Sequence, residues 1–290
     1  MNKIALIFCL IPLISFSQSH KKIVSLTKLK PSIYSVSLYN QTNVLIFEGD
    51  ENLLLVDTGY EQTAKRMKDF IQKQFKKNIR FIINTHWHYD HTGGNKIFGK
   101  KAIIIAHHEV KNILNKESSL NGKTHLAYPT YALPNITFSD SMVLNFNNEA
   151  LRIFHMPNGH TSSDILIYFP TYNLLSVGDL LFANQFPFID TENGGNLLVY
   201  LKTLQNILQR YPSNTLIAGG HGQIYTMIEL ENHLKTLKNS IQDIQKTIGQ
   251  NHSIDEIEKN KLLEKYKKYG SGFVSTKQWI KTVHSCYESK

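Results

Sequence analysis

Short apolar runs separated by turn residues dominate the chain from about residue 33 to residue 221. These runs predict strands at 33–38, 44–48, 53–57, 79–84, 102–106, 142–146, 151–155, 165–169, 174–177 and 215–218. Apolar residues at helical spacing predict one helix near 64–75 and a second near 197–208. Each half of this region therefore places several strands before a helix.

From Met227 onward the pattern becomes helical. Apolar residues recur at steps of four and three and form a single stripe: Leu230, Leu234, Leu237, Ile241, Ile244 and Ile248. A partner-binding coiled coil would sustain such a stripe over at least three to four heptads, so we expect this helix to pack on its own domain. Segments 259–269 and 276–286 are predicted to add further helical turns. Because no linker interrupts the chain, we expect residues 18–290 to form one domain.

Chemically active side chains follow the predicted strands at five places. They are Asp57, the segment 86–91, His160, Asp179 and His221. In layered α/β folds the carboxyl ends of strands gather at one edge, where loops build the active site. The densest place is His86-x-His88-x-Asp90-His91, and imidazole and carboxylate groups are ligands of zinc-class ions. This pattern predicts a metal site at one edge of the fold; the alternative is a polar loop that is merely rich in histidine.

The first 17 residues have the features of a cleaved signal peptide. Lys3 supplies the positive charge, residues 4–16 are apolar, and Ser15-Phe16-Ser17 is a small-x-small cleavage signal. The apolar run is short for a membrane span, and Cys9 follows Phe8 rather than a small residue, which argues against a lipid-modified cysteine. The sequence predicts an exported protein, periplasmic or secreted, with no membrane anchor after cleavage. A buried first strand or helix is the alternative.

Composition indicates which binding partners to expect and what stabilises the fold. The chain has 290 residues, 41% of them hydrophobic, and a net charge of +9, which becomes +8 because residues 1–17 contain Lys3 and no acid. The lysines are spread along helix faces without clustered arginines and interleaved aromatics, so a nucleic-acid partner is not expected. Cys286 is the only cysteine after cleavage, which excludes an internal disulfide and leaves stability to the core.

Four motifs resemble those of the metallo-β-lactamase-fold hydrolases in order and approximate spacing. They are His86-x-His88-x-Asp90-His91, Gly159-His160-Thr161, Gly178-Asp179 and Gly220-His221-Gly222. The resemblance covers about residues 30–225. It implies a four-layer αββα sandwich (an α/β fold) with two similar halves and the metal site at one edge. The helices from about residue 227 would be an addition to that fold.

The resemblance also implies a ligand set for two zinc ions. The first ion would be held by His86, His88 and His160, the second by Asp90, His91 and His221, with Asp179 bridging both. Zinc lowers the pKa of bound water from about 15.7 to about 7, which supplies hydroxide at neutral pH. Asp90 would orient this hydroxide and is the predicted catalytic residue. Asp57 and Asp164 would accept hydrogen bonds that fix the tautomer of a ligand histidine.

Departures from the β-lactamase pattern bear on the substrate. The subclass with a cysteine ligand would carry it at position 179, which is Asp179, and would use a lysine at the place of Phe182. His91 together with a bridging Asp179 looks more like the thioesterase, lactonase and esterase-type members. An apolar pocket wall is expected from the residues Trp87, Phe182, Phe186 and Phe188, with Asn196 on the adjoining loop. The alternative is that these aromatic residues belong to the core.

These observations predict an exported binuclear zinc hydrolase. Its substrate would be a small molecule with an ester, lactone, thioester or β-lactam-type amide bond. One alternative is an oxidoreductase of the same fold that holds iron, and manganese is a further candidate metal for the site. Another is a non-catalytic binding protein that keeps its fold through the metal. The sequence does not indicate the oligomeric state.

Overall fold

The computed structural model describes residues 24–39, 42–120, 122–248, 254–258 and 261–288. The predicted signal peptide, residues 1–17, lies outside these ranges. The strands are β1 (Val24–Lys30), β2 (Ile33–Leu38), β3 (Val44–Glu48), β4 (Asn52–Val56), β5 (Asn78–Ile83), β6 (Ile103–His107), β7 (Ser118–Leu120), β8 (Lys123–His125), β9 (Ile136–Phe138), β10 (Ser141–Phe146), β11 (Glu149–His155), β12 (Ile165–Phe169), β13 (Leu174–Phe182), β14 (Leu216–His221) and β15 (Tyr225–Thr226). The helices are α1 (Glu61–Phe75), α2 (Tyr89–Thr92), α3 (Asn95–Phe98), α4 (His108–Leu114), α5 (Leu197–Arg210), α6 (Met227–Ile248), α7 (Ile254–Glu258) and α8 (Thr276–Glu288).

Two large sheets carry the fold. The first has the order β1-β2-β3-β4-β5-β6-β9, and the second has the order β10-β11-β12-β13-β14-β15. In the first sheet the pairs from β1 to β4 are antiparallel, whereas β4, β5, β6 and β9 pair in parallel. In the second sheet only β13 and β14 are parallel. In the first sheet the parallel strands run from β4 to the edge strand β9, and in the second they are the neighbours β13 and β14. Their carboxyl ends carry the loops described below.

Apolar faces of the two sheets meet in a shared core. Phe47 of β3 lies at its centre, with edge-to-face contacts to Phe146, Phe169 and Tyr172 from the second half of the chain. The outer face of the first sheet is covered by α1 and α3, and that of the second by α5, α6 and α8. The layers are therefore helix, sheet, sheet and helix, which confirms the predicted αββα sandwich.

Five strands, β1, β7, β8, β9 and β15, were not predicted, and one predicted strand is longer than expected. β1 was not predicted because its sequence, VSLTKLK, is half polar and its residues are only partly buried or exposed. The strand predicted to end before Asp179 instead continues to Phe182, although its pairing with β14 shifts register on both sides of Gly178. Asp179 therefore lies inside a strand, at an irregularity, rather than after a strand end.

The helices of the C-terminal region pack on the second sheet, as expected. The stripe of α6 is buried from Leu230 to Ile244 in the same cluster as α5 and β13. Trp279 of α8 is fully buried, stacks on Phe186 with 5.0 Å between ring centroids, and donates its indole N–H to Ser240 Oγ at 3.0 Å. Within the described residues no helix combines the length and apolarity needed to cross a bilayer.

The Trp279–Phe186 stack predicts that α8 contributes to global stability. Trp279→Ala should lower the free energy of unfolding by about 3–5 kcal/mol, because a large buried ring is removed from a packed core. Ile228→Ala on α6 is the control, since Ile228 is 70% exposed and its loss should change stability by less than about 0.5 kcal/mol. Chemical denaturation measures both. Equal effects of the two substitutions would contradict the integration of α8 into the core.

Candidate metal centre

The histidine-rich loop after β5 is fixed by buried polar contacts. Asn84 and Asn95 exchange side-chain amide hydrogen bonds of 3.2 and 2.8 Å, and Thr58 Oγ1 donates to Asn95 Oδ1 at 3.0 Å. All three residues are fully buried. Because each polar group has a partner, the loop between the strand and α3 has a defined path. This path carries four chemically active side chains to the edge of the sheet.

A first group of donor atoms combines three imidazoles with one carboxylate. His86, His88, His160 and Asp179 each offer one atom, and these atoms lie within 4.8 Å of one another. His160 Nε2 is 2.9 Å from His88 Nδ1 and 3.6 Å from Asp179 Oδ2, while His86 Nε2 is 3.9 Å from the same oxygen. All four side chains are buried. The group is a compact, water-excluded set of nitrogen and oxygen donors.

A second group shares Asp179 with the first. Its other members are Asp90, His91 and His221, and its donor atoms also lie within 4.8 Å of one another. His221 Nε2 is 3.0 Å from Asp90 Oδ2 and 3.3 Å from Asp179 Oδ2, and His91 Nε2 is 3.0 Å from Asp179 Oδ1. The two oxygens of Asp179 therefore face different histidines. The structure brings together all seven residues predicted as ligands.

Two glycines make room for Asp179. Gly178 has a φ of +51°, and a Cβ there would lie 2.7 Å from Thr85 Cβ, so β13 approaches the histidine loop closely only without a side chain. A Cβ at Gly220 would collide with Asp179 Oδ1 and lie 2.8 Å from His91 Cε1. The Gly-Asp and Gly-His pairs of the sequence are thus required by the close approach of two strands and a loop.

Four histidines of the site are held by a hydrogen bond on the nitrogen that faces away from it. The pairs are His86 Nδ1 with Thr85 Oγ1 (3.0 Å), His91 Nδ1 with Asp57 Oδ2 (2.8 Å), His160 Nδ1 with the Phe188 carbonyl (2.7 Å) and His88 Nε2 with Asp190 Oδ2 (2.9 Å). Such a partner fixes which ring nitrogen carries a lone pair toward the site. His88 differs from the other three because it presents Nδ1.

Burial and charge set the protonation states. Burial, with the neighbouring His91, holds the pKa of His86 well below its ordinary value, and burial beside His88 lowers the pKa of His160 to about 4. Burial opposes ionisation of Asp179, but the imidazoles of His221 and His91 hold its pKa well below the usual range. At neutral pH His86 and His160 thus offer neutral imidazoles, and Asp179 offers an ionised carboxylate.

The donor atoms fit a divalent metal. His86 Nε2, His91 Nε2 and Asp179 Oδ1 are buried without a hydrogen bond, although the last two lie only 3.0 Å apart. Buried polar atoms normally have partners, so three unpartnered atoms aimed at one place indicate a ligand that is not protein. Nitrogen and carboxylate donors without thiolate suit zinc, and also iron or manganese. The arrangement fits a resident divalent ion in each group.

The two supporting carboxylates occupy different roles. Asp57 has a φ of +65° at the end of β4, and its side chain accepts from Thr85 N–H, Thr85 Oγ1 and His91 Nδ1. Asp164 accepts from the backbone N–H groups of His160 and Thr161 and from Thr161 Oγ1. It therefore shapes the loop but does not bond the His160 ring, because the Phe188 carbonyl takes that place. The expectation that Asp164 fixes a histidine tautomer is wrong.

Three of the five residues expected to line the substrate pocket have their side chains in core packing or helix capping. Trp87 is fully buried in a cluster with α4, and Phe186 is fully buried against Trp279. Asn196 caps α5 by accepting from Leu198 N and Val199 N. Their side chains pack or cap, which sequence spacing cannot distinguish from lining a pocket.

The remaining two aromatic residues lie against histidines of the two donor groups. Phe182 is buried and stacks on His221 with 5.2 Å between centroids, and its ring is 5.7 Å from His160. Phe188 is half-buried and lies 5.9 Å from both His88 and His160. These two rings form an apolar wall beside both donor groups.

Two polar contacts of the site were not predicted. Asp190, on the loop before α5, bonds His88 and also accepts from Asn193 Nδ2. Thr42, in the loop between β2 and β3, donates its hydroxyl to Asp90 Oδ2 at 2.8 Å. Neither residue belongs to a motif or follows a predicted strand directly. Only the tertiary structure brings them to the site.

Comparison with known proteins agrees with this geometry. The sequence model of the metallo-beta-lactamase superfamily matches residues 39–226. A metallo-beta-lactamase type 2 of Bacteroides fragilis is 26% identical over 246 residues, 81% of this chain and 94% of that relative.

Two solved structures are similar in fold, each below 25% identity. A metallo-beta-lactamase from Pontibacter korlensis has a TM-score of 0.62 at 20% identity, covering 74% of this chain and 99% of that one. A sec-alkylsulfatase from a Pseudomonas species has a TM-score of 0.66 at 18% identity, and the match covers 92% of this chain and 50% of that one. Since the family match spans more than half of the sequence, the chain belongs to the metallo-β-lactamase superfamily of metal-dependent hydrolases.

Proposed function

We propose that this protein is an exported hydrolase that holds two divalent ions, zinc in the first instance, and cleaves an ester, lactone, thioester or β-lactam-type amide bond. The observation that carries the proposal is Asp179, whose carboxylate belongs to both donor groups. A shared carboxylate lets two ions sit close enough to act on one substrate. His86, His88 and His160 would hold the first ion, and Asp90, His91 and His221 the second.

The chain itself supplies a proton acceptor beside these ions. Divalent ions bound here would lower the pKa of water toward about 7 and polarise a scissile carbonyl. All described contacts of Asp90, with Thr42, His91 and His221, use Oδ2. Its other oxygen, Oδ1, is therefore available to accept a proton from the attacking water. The Thr42 hydroxyl keeps the carboxylate in one orientation.

Exposure indicates where a substrate enters. The side chains of Asp90 and His221 are 14% and 21% exposed, whereas those of the other five proposed ligands are at most 4% exposed. The site therefore opens over the second donor group. A substrate arriving there would meet Asp90 and His221 before the buried ligands.

The substrate class follows from what surrounds the ions. The relatives named as metallo-beta-lactamases support a β-lactam as one candidate. The described ion pairs of Asp57, Asp90, Asp179 and Asp190 are all with histidine, so no lysine or arginine pairs with these carboxylates. The wall beside the ions is aromatic. Both features support the broader set of neutral esters, lactones and thioesters.

The proposal also includes export of the protein and a single domain that extends through the C-terminal helices. The charged start, apolar run and small-x-small signal of residues 1–17 support export. The packing of α6 and α8 on the second sheet supports one domain through the C-terminal helices. N-terminal sequencing of the protein secreted from cells would locate the cleavage site.

Metal content is the first test of this proposal. The mature protein should contain two zinc ions per chain by elemental analysis, and a chelator should abolish hydrolysis of a panel containing a chromogenic cephalosporin, a lactone and a thioester. Iron with visible absorption would instead favour the oxidoreductase alternative. Well under two metal ions per chain would argue against the binuclear site.

Asp90→Asn tests the proton acceptor. With metal at saturation the rate on the best substrate should fall by about 10²- to 10⁴-fold, because the carboxylate that orients and deprotonates water is neutralised. Asp69→Asn is the matched control, since Asp69 is an exposed acid on α1. Steady-state kinetics and metal analysis are measured on both variants. An unchanged rate in the Asp90 variant would contradict its proposed role as proton acceptor.

Asp190→Ala tests whether the hydrogen bond between His88 and Asp190 is needed for metal binding. The variant should bind the first metal ion about 10- to 100-fold more weakly, since the ring of His88 loses the partner that fixes its tautomer. Asn193→Ala removes the side-chain hydrogen bonds of Asn193 to Asp190 but leaves the contact between Asp190 and His88. The metal affinity of this variant should therefore stay close to the wild-type value. Competition with a chromophoric zinc chelator measures both. Equal affinities in the two variants would show that the Asp190 contact is not needed for metal binding.

A further inference from the structure

The C-terminal segment between the 3₁₀ turn at Lys261–Tyr266 and α8 reaches the metal centre. Phe186 N–H donates to the Tyr269 carbonyl at 3.2 Å, and Phe273 N–H donates to Gln185 Oε1 at 3.3 Å. Both partners, Gln185 and Phe186, lie within three residues of Phe188, which lines the proposed site. The segment lies after residue 226, where the match to the superfamily ends. It therefore lies outside the part of the chain that the superfamily model matches.

Phe273 is the side chain that this segment places outermost. Its ring meets Phe188 edge-to-face, with centroids 5.8 Å apart and an interplanar angle of 86°. Phe188 in turn lies 5.9 Å from the rings of His88 and His160. Phe273 is nevertheless 65% exposed. The aromatic surface thus begins at the first donor group and continues outward to solvent.

The exposed ring is held by a rigid backbone. Val274, the next residue, is buried in the cluster that contains Trp279. Ser275 directly precedes α8: its carbonyl accepts from Trp279 N–H at 2.9 Å, and its own N–H donates to Gln278 Oε1 at 2.8 Å. Before Phe273, a Cβ at Gly272 would collide with Gln185 Oε1, so the turn is pressed against the loop that carries Phe188. A fixed aromatic surface loses little entropy when it binds a ligand.

The chemistry beside this surface is apolar. Phe188 and Phe273 present rings next to the buried ring of Phe182, and the described ion pairs of the site's carboxylates are with histidine. A charged substituent placed against these rings would lose hydration to an apolar surface. An aryl or alkyl substituent would bury apolar area against a ready-made surface.

We propose that Phe273, together with Phe188, forms a subsite for an apolar substituent of the substrate, and that this subsite is supplied by the C-terminal extension. The proposal rests on the proposed function, because it takes the substrate to be bound at the metal centre. It assigns Phe273 to specificity rather than to catalysis. The preferred substrate then carries an aryl or alkyl group next to the bond that is cleaved.

Two thiols test the subsite without requiring any hydrolysis. The cobalt(II)-loaded protein is titrated with 2-phenylethanethiol and with 2-mercaptoethanol, and binding is followed by the thiolate-to-cobalt absorption band. Phe273→Ala should lower the affinity for 2-phenylethanethiol by about five- to tenfold. It should change the affinity for 2-mercaptoethanol by less than about twofold. Phe273→Tyr, which keeps the ring, should retain the preference. Ile228→Ala, an exposed apolar residue on α6, is the control and should change neither affinity.

The outcomes separate the two proposals. Equal changes for both thiols, or none for either, in cobalt-loaded Phe273→Ala would overturn the subsite and leave the hydrolase standing. A Phe273-dependent preference without turnover on any ester, lactone, thioester or β-lactam would support the subsite and contradict the proposed hydrolase function. A chain that binds no cobalt would overturn both. Circular dichroism of each variant verifies that it is folded.

Discussion

A buried carboxylate shared by two sets of imidazoles is the constraint on which the rest of the site depends. Asp179 Oδ2 faces His86, His160 and His221, while Oδ1 faces His91. A buried ionised carboxylate is costly unless positive charge or metal offsets it. The irregular pairing of β13 at Gly178 and the bare backbone of Gly220 place Asp179 where both sets can reach it. The glycines and the histidines are therefore parts of one arrangement.

Partners for the metal histidines come from both halves of the sandwich. Asp57 and Thr85 of the first half hold His91 and His86, whereas Asp190 of the second half crosses over to hold His88. The first half, through Thr42, also holds Asp90 beside His221 of the second. Because His88 and Asp90 have partners or neighbours from the other half of the chain, the relative position of the two halves contributes to fixing the site. Core packing around Phe47 thus positions chemistry that lies at the edge.

The sequence pattern predicted those features that depend on residues close together in the chain. The strand positions, the histidine motif and the glycine pairs are local, so their periodicity and spacing were informative. β1 was missed because a mostly uncovered edge strand need not alternate. Trp87 and Phe186 were expected in the pocket but are core residues, since an aromatic side chain gives no sign of which face it occupies. Asp190 was missed because it meets His88 across 102 positions of the chain, a distance at which no spacing rule applies.

The C-terminal helices connect stability with the metal centre. Trp279 stacks on Phe186, and the segment that starts there continues through Phe188, whose carbonyl bonds His160, to Asp190, which bonds His88. A single stretch of five residues is thus fixed by core packing at one end and by two metal histidines at the other. The loop is short, so a shift of Phe186 in the core has few backbone dihedrals in which to be absorbed before it reaches the histidines. The extension beyond the shared fold therefore both adds to the core and orients half of the first donor group.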